Sequence, residues 1–146
     1  MSALVRSIRV AAGVLLFVAC AISALPAAAQ DPRSGVVQSA ACAWLELVDK
    51  GDPDPSWNAS GPKFKEAYPL GKWREALALY RTPMGTFESR AAIATTFNKD
   101  APDLPPGEYA NVQFRTNFSN KIDAHESISL ERVADGTWVV IGYALN

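Results

Sequence analysis

Residues 109–118 alternate strictly between apolar and polar side chains, and this alternation constrains the fold more than any other feature of the chain. Successive side chains of a β-strand point to opposite faces of the sheet, so an alternating segment has one buried and one solvated face. Such strands are typical of antiparallel sheets that are covered on one side. The predicted inward set is Ala110, Val112, Phe114, Thr116 and Phe118, and the outward set is Tyr109, Asn111, Gln113, Arg115 and Asn117.

Three further segments have the character of strands. Residues 87–97 are rich in Ala, Ile, Thr and Phe, and residues 124–133 alternate again. Asp135-Gly136 is a strong two-residue hairpin signal. Residues 137–145 are apolar on both faces, which predicts a strand that is central in the sheet or covered on both sides.

The segment before the strands has helical spacing. Residues 36–50 place apolar side chains three and four positions apart, as an amphipathic helix does. The sequence GDPDPSW, residues 51–57, contains many helix breakers and predicts a turn. A short helix is predicted around residues 63–68, and a third helix over residues 70–81. The predicted buried stripe of the third helix is Trp73, Ala76, Leu77 and Tyr80.

Helices followed by a four-stranded antiparallel meander predict the α+β class, with the helices packed on the concave face of one curved sheet. We expect a single domain over residues 30–146, with its core at about residues 36–145. A chain of this length suits one domain, which buries roughly two-thirds of its unfolded surface.

The first 29 residues are typical of a cleavable signal peptide. Arg6 and Arg9 precede an apolar run over residues 10–25, and small residues lead to a predicted cleavage site after Ala29. The protein is therefore expected to be exported, to the periplasm or outside the cell, without stable membrane insertion after cleavage. The alternative is a retained membrane anchor formed by residues 10–29.

Composition excludes several classes of function. Loss of Arg6 and Arg9 leaves twelve of the fourteen basic residues against fifteen acidic ones, a net charge of −3, without a Lys/Arg cluster. This argues against nucleic acid as a partner. Cys42 is the one cysteine that remains after cleavage, so no internal disulfide is expected. His125 is the one histidine and is far from Cys42 in sequence, so no metal site is expected. Glycine motifs for phosphate or dinucleotide binding are missing from the sequence, and we expect no cofactor.

Glu126 is the residue with the strongest chemical signal. It shares the apolar face of its strand, whereas His125 points to the opposite face, so the two cannot easily act on one substrate. A carboxylate on an apolar face must be paired or protonated. Its natural partners are Arg81 and Arg90. Three interpretations stay open: an ion pair that fixes helix against sheet, a ligand-facing arginine oriented by Glu126, and Glu126 as a general base with a raised pKa.

The four tryptophans have different expected roles. Trp44 and Trp73 lie on helical stripes and are expected in the core, and Trp138 is expected to cover a hairpin. Trp57 lies in the loop-rich segment and is the best candidate to line an opening.

The sequence resembles the domain of unknown function 4019, a family of small exported bacterial proteins, over about residues 40–145. The resemblance implies a fold like nuclear transport factor 2 and the cystatin-like superfamily, in which a bent sheet wraps a long helix to form a cone. Proteins of that shape include dehydratases, isomerases, ligand carriers and structural domains, so the fold does not choose the function. The residues that carry the resemblance are Trp44-Leu45, Val48-Asp49, Ser56-Trp57, Trp73, Arg81-Thr82-Pro83-Met84-Gly85, Arg90, Gly107-Glu108-Tyr109, Phe114-Arg115-Thr116, Glu126, Asp135-Gly136-Thr137-Trp138 and Gly142-Tyr143.

These observations predict a non-enzymatic domain that binds a small ligand or a protein partner. One alternative is a cavity enzyme of the isomerase or dehydratase type, with Glu126 as base. Another is a structural protein that forms a homodimer through its exposed sheet face. The predicted pocket residues are Trp57, Trp73, Arg81, Arg90, Glu126 and Tyr143.

Overall fold

The computed structural model describes residues 31–146. The predicted signal peptide, its cleavage site after Ala29 and the alternative anchor at residues 10–29 lie outside the described residues. Within residues 31–146, every helix is too short or too polar to cross a membrane.

The helices come first in the chain, as predicted. Within the described part of the chain, four α-helices are followed by a π-helical segment and one turn of 3₁₀-helix before the first strand. Their bounds are α1 (Ser34–Asp49), α2 (Pro53–Ala59), α3 (Pro62–Ala67), α4 (Leu70–Ala76), the π segment (Leu77–Arg81) and the 3₁₀ turn (Thr82–Met84).

Helix α2 occupies the segment that was predicted to be a turn, so that prediction is wrong. The Asp52 side chain caps the helix by accepting a hydrogen bond from the Asp54 N–H at 3.1 Å. Pro53 and Pro55 fall in the first turn, where backbone N–H groups have no partner within the helix. Both prolines are therefore compatible with the start of a helix.

The third predicted helix exists, but its last turn is a π-helix. A π turn bonds residue i to i+5 and rotates less per residue than an α-helix. Arg81 therefore lies over Leu77 and is buried, whereas Tyr80 turns outward and is 61% exposed. The prediction that Tyr80 shares the buried stripe of Trp73 is wrong for this reason.

The four predicted strands form one antiparallel sheet in the order β1-β2-β3-β4. Residue pairing is continuous along each neighbouring pair apart from a few bulges, one of them between Ala92 and Ala94 of the first strand. The strand bounds are β1 (Phe87–Asn98), β2 (Tyr109–Phe118), β3 (Lys121–Arg132) and β4 (Trp138–Leu145).

Strand β4 was predicted to be either central in the sheet or covered on both sides, and because it is an edge strand the central alternative is wrong. Its apolar side chains are accounted for by the helices α1 and α3, which both contact this strand. The Gly61 N–H also donates a hydrogen bond to the Val140 carbonyl at 2.8 Å, which occupies part of the free edge. Apolar side chains can therefore occur along an edge strand when helices and a loop cover part of that strand.

The core lies between α1 and the inward face of the sheet. The five side chains of β2 that were predicted to face inward are buried, which confirms the alternation over residues 110–118. Tyr109 was predicted to face outward but is 5% exposed, and its hydroxyl donates to the Pro105 carbonyl. Trp44 and Trp73 are each 3% exposed, as predicted for core residues. The structure thus confirms an α+β arrangement of helices followed by a four-stranded antiparallel sheet. The central core residues are Val37, Ala41, Trp44, Leu45 and Val48 from α1, and Val112, Phe114, Ile128, Leu130 and Val140 from the sheet.

Gly85, at the entry to β1, offers a test of this geometry. Its φ of 86° and ψ of −157° belong to a region that is essentially restricted to glycine. A Cβ atom there would also overlap the Ser119 hydroxyl. We expect Gly85→Ala to lower the free energy of unfolding by about 1–3 kcal/mol or more, measured by urea denaturation with tryptophan fluorescence.

Gly71→Ala is the matched control, because Gly71 lies in α4 with open space around its Cβ position. We expect this change to be neutral or to stabilise by up to about 1 kcal/mol. Equal losses in the two variants would contradict the role assigned to Gly85.

Candidate functional site

Four charged side chains from four different elements meet in the interior and form what we call the charge network: Asp49, Arg81, Arg90 and Glu126. Asp49 is the last residue of α1, and its carboxylate accepts hydrogen bonds from both arginines. The Arg81 Nη2 atom lies 3.0 Å from Asp49 Oδ1, and the Arg90 Nη1 atom lies 2.9 Å from Oδ2. Arg90 Nε lies 2.7 Å from Glu126 Oε2. None of the four side chains is more than 12% exposed.

Glu126 is sealed by three donors. Oε2 accepts hydrogen bonds from Arg90 Nε and from the Thr116 hydroxyl, the latter at 2.5 Å. Oε1 accepts the Tyr143 O–H at 2.8 Å. The prediction that Glu126 is buried and neutralised by an arginine is therefore confirmed, and the arginine is Arg90.

Arg81 is not a partner of Glu126, so that part of the prediction is corrected. Its Nη1 donates to the Gly85 carbonyl at 2.8 Å and its Nη2 to Asp49. Its guanidinium carbon lies 4.0 Å from the centre of the Phe118 ring, a cation–π geometry. The π segment directs Arg81 inward beside the end of α1, where Asp49 is its carboxylate partner.

Sequence reasoning missed Asp49. The signal was its spacing, since Asp49 follows Leu45 by four residues and Ala41 by eight, which continues the buried stripe of α1. A carboxylate on that stripe needs a cation for the same reason as Glu126 does.

The charge network has no net charge, because two guanidinium groups are paired with two carboxylates. Burial opposes the charge of Arg90, but hydrogen bonds and attraction from Asp49 and Glu126 outweigh it and raise the pKa of Arg90. Burial, reinforced by the neighbouring Glu126 carboxylate, raises the pKa of Tyr143 far above its ordinary value. The Tyr143 phenol is therefore a fixed hydrogen-bond donor at neutral pH.

A cleft of about 230 Å³ lies beside the network, between α4, the π segment and the end of β4. Its lining is mainly aromatic and aliphatic. Tyr143 connects the two features, because its ring forms part of the cleft and its hydroxyl binds Glu126. The cleft is lined by Tyr68, Trp73, Ala76, Leu77, Tyr80, Arg81, Tyr143, Ala144 and Leu145.

The six predicted pocket residues divide into three groups. Trp73, Arg81 and Tyr143 line the cleft, and the rings of Trp73 and Tyr143 meet edge to face at 5.9 Å. Arg90 and Glu126 belong to the charge network and not to the lining.

Trp57 lies apart from both the cleft and the network. Its indole N–H donates to the Tyr68 carbonyl at 2.8 Å, and the Lys65 ammonium lies 5.1 Å from the centre of its ring. These contacts tie α2 to the end of α3, so Trp57 supports the chain near the cleft without lining it.

Glu126 is not positioned to exchange a proton with a molecule in the cleft. Both oxygens of Glu126 are already engaged by protein donors, so neither is directed at a molecule in the cleft. His125 is exposed on the outward face of β3, as predicted. Over residues 31–146, no group of three or more His, Cys, Asp or Glu side chains is arranged to hold a metal ion.

Comparison with known proteins gives one finding. Residues 40–143 match the model of a family described as protein of unknown function (DUF4019), which covers more than half of the chain. Neither a curated protein nor a solved structure gives a significant match.

Removing one charge should expose the interdependence of the network. Asp49→Asn keeps the shape of the side chain but leaves Arg81 without its carboxylate and Arg90 with only one. Breaking a buried pair leaves an uncompensated charge, so we expect a loss of about 3–5 kcal/mol in unfolding free energy. Urea denaturation measures this loss.

Asp123→Asn is the matched control, because Asp123 pairs with Arg115 on the surface, where both side chains are 57% exposed. An exposed pair is worth about 0–1 kcal/mol. If Asp49→Asn costs no more than this control, the charge network does not hold the elements together.

The raised pKa of Tyr143 predicts that the free energy of unfolding depends on pH in the alkaline range. In the unfolded chain a tyrosine ionises near pH 10, whereas the raised pKa of Tyr143 keeps its proton in the folded chain. Above about pH 10 the folded state then binds more protons than the unfolded chain. The contribution of Tyr143 to the free energy of unfolding is therefore fully present below about pH 10 and falls above it, by up to about 1.4 kcal/mol per pH unit.

Tyr143→Phe should therefore flatten the decline of unfolding free energy between about pH 10 and pH 11.5, although it lowers stability at neutral pH. Tyr80→Phe is the matched control for loss of a hydroxyl at the surface. An unchanged alkaline slope in Tyr143→Phe would contradict the assignment.

Proposed function

The chain belongs to the DUF4019 family of proteins of unknown function, and we propose that it is a non-enzymatic domain that binds a small apolar ligand in the cleft beside the charge network. The observation that carries this proposal is the combination of an aromatic cleft with a neighbouring polar network whose carboxylates are fully paired.

The lining of the cleft suits binding. Ligand sites in proteins are concave and mostly apolar, with a small number of fixed polar groups that orient the ligand. Trp73 and Tyr143 supply rigid aromatic walls, and Arg81 supplies a polar wall group. The aromatic rings offer large contact area at small conformational cost.

The walls are held in position by contacts outside the cleft. The Trp73 indole N–H donates to the Ser56 hydroxyl at 3.0 Å, and the Tyr143 hydroxyl donates to Glu126. Arg81 is fixed through Asp49 and Gly85. Pre-organised walls reduce the ordering cost of binding. The π segment adds support, since π turns within helices are frequent at functional sites.

We also propose export of the protein through the signal peptide of residues 1–29, with cleavage after Ala29, to the periplasm or outside the cell. The basic start and apolar run of the sequence support this proposal. A cone like that of nuclear transport factor 2 is the proposed fold. Its support is the resemblance of the sequence, together with helices packed on one face of an antiparallel four-stranded sheet.

The two alternative functions gain no specific support. An isomerase or dehydratase would require Glu126 as a reachable base, but this residue is 1% exposed and sealed by Arg90, Thr116 and Tyr143. The outward sheet face proposed for a homodimer is polar, and its Arg115 is paired with Asp123 within the same chain.

Obstruction of the cleft tests the proposed function. Ala76 lines the cleft, so Ala76→Phe should fill part of it. The purified domain, incubated with a bacterial lipid and metabolite extract, is separated from free compounds, and retained compounds are identified by mass spectrometry. We expect the wild type to retain compounds that Ala76→Phe loses at least tenfold.

Ala78→Phe is the matched control, because Ala78 lies in the same helical region but is exposed and does not line the cleft. Thermal unfolding of both variants checks that they are folded. Retention of nothing by the wild type, or equal retention by the wild type and Ala76→Phe, would overturn the proposal.

A further inference from the structure

We infer that the ligand of the cleft is an uncharged ring compound that carries one hydrogen-bond acceptor, such as a ketone or amide carbonyl. The inference rests on the proposed function of the cleft and adds the chemical class of the ligand. It is carried by the charge balance of the network and by one unpartnered donor that belongs to Arg81, a residue of the cleft wall.

The charge balance argues against an anionic ligand. Arg81 lines the cleft and Arg90 shares the carboxylate of Asp49 with it, and Asp49 and Glu126 already neutralise both arginines. A third carboxylate beside them would be partly desolvated without a free cation, which is strongly unfavourable. A fatty acid or another carboxylate is therefore the wrong ligand.

The same balance argues against a cation. Both carboxylate oxygens of Asp49 accept from the arginines, and both oxygens of Glu126 accept from Arg90, Thr116 or Tyr143. An ammonium group in the cleft would find the nearby carboxylates occupied. A neutral ligand avoids both costs.

The acceptor is inferred from Arg81. This residue lines the cleft, its side chain is 8% exposed, and its Nη1 and Nη2 atoms are bonded to Gly85 and Asp49. Its Nε–H has no hydrogen-bond partner within residues 31–146. A buried donor without an acceptor costs about 1–3 kcal/mol, and a ligand oxygen that accepts this bond recovers that cost.

Tyr143, the polar residue beside Arg81 in the inner wall, does not compete for the acceptor, and Tyr68 and Tyr80 are more exposed side chains at the rim. Tyr143 already donates its only hydroxyl proton to Glu126, which leaves the Arg81 Nε–H as the inner donor. This atom is buried, so the proposed contact requires a small rearrangement of side chains in the wall when a ligand binds. Binding is therefore expected to shift the Arg81 Nε–H resonance.

The volume limits the size of the ligand. A cavity of about 150 Å³ accommodates benzene, so the cleft of about 230 Å³ suits on the order of ten non-hydrogen atoms. The aromatic walls formed by Trp73 and Tyr143 favour a flat ring system.

Three probes of nearly equal shape test the inference on the intact domain. They are 2-acetylnaphthalene, which carries a carbonyl acceptor, 2-ethylnaphthalene, which lacks an acceptor, and 2-naphthoate, which is anionic. Amide NMR titration gives each Kd and shows whether cleft residues respond. We expect the acetyl compound to bind at least about fivefold more tightly than the ethyl compound, and the naphthoate to bind more weakly than either.

The Arg81 side chain gives a second readout. Its Nε–H signal in ¹⁵N spectra should shift with 2-acetylnaphthalene but only slightly with 2-ethylnaphthalene. Arg81→Lys keeps the charge but removes this donor, and should reduce the preference for the acetyl compound to about twofold or less. The wild-type comparison of probes and the Nε–H signal remain decisive if that variant does not fold.

The outcomes separate the two levels of the proposal. If none of the probes perturbs cleft residues and the extract also yields no ligand, the proposed function fails. If the probes bind in the cleft but the acetyl and ethyl compounds bind equally, or the naphthoate binds most tightly, the cleft is still a binding site and only the inferred ligand class is overturned.

Discussion

The double salt bridge of Asp49 to Arg81 and Arg90 is the interaction on which the rest of the structure depends. It joins the end of α1 to the π segment and to β1, and Arg90 extends it to Glu126 on β3. A buried ion network contributes little net stability compared with apolar packing of equal volume, but breaking it is costly. Its principal effect is therefore geometric, because it allows one relative position of the helices and the sheet in which each charge has a partner.

Hydrogen bonds to this network fix the inner wall of the cleft. Tyr143 stands between the two, with its ring in the cleft and its hydroxyl on Glu126. Arg81 also connects the cleft with the network, because it lines the cleft and donates a hydrogen bond to Asp49. Because Tyr143 and Arg81 are bonded to buried charged groups that cannot be left unpaired, these hydrogen bonds restrict the movement of the inner wall. Under the proposed function, such a cleft would select its ligand by shape and by the chemistry of a small number of polar atoms.

The sequence predicts the fold well where periodicity is strong and less well where position depends on contacts. The alternation of residues 109–118 identifies β2 and its buried face, and the spacing of residues 36–50 identifies α1, because both patterns are local. Three other features have no periodic signal in the sequence. The start of α2 depends on a hydrogen bond to one side chain, that of Asp52. The inward position of Arg81 depends on the π winding of its helix, and the edge position of β4 depends on the order of the strands. Within the site, Glu126 and its need for an arginine are visible from one strand, but its choice of Arg90 over Arg81 depends on Asp49, 41 residues before Arg90.

The residues by which the sequence resembles its family divide unevenly over the site. All members of the charge network occur in those motifs, and so do Trp73 and Tyr143 of the inner wall. The outer wall residues Tyr68 and Tyr80 do not. The π segment explains how this division arises, since it directs Arg81 inward to the network and turns Tyr80 outward to the rim. The resemblance therefore covers the charge network and the inner wall of the cleft, whereas the residues proposed to contact the outer part of a ligand lie outside it.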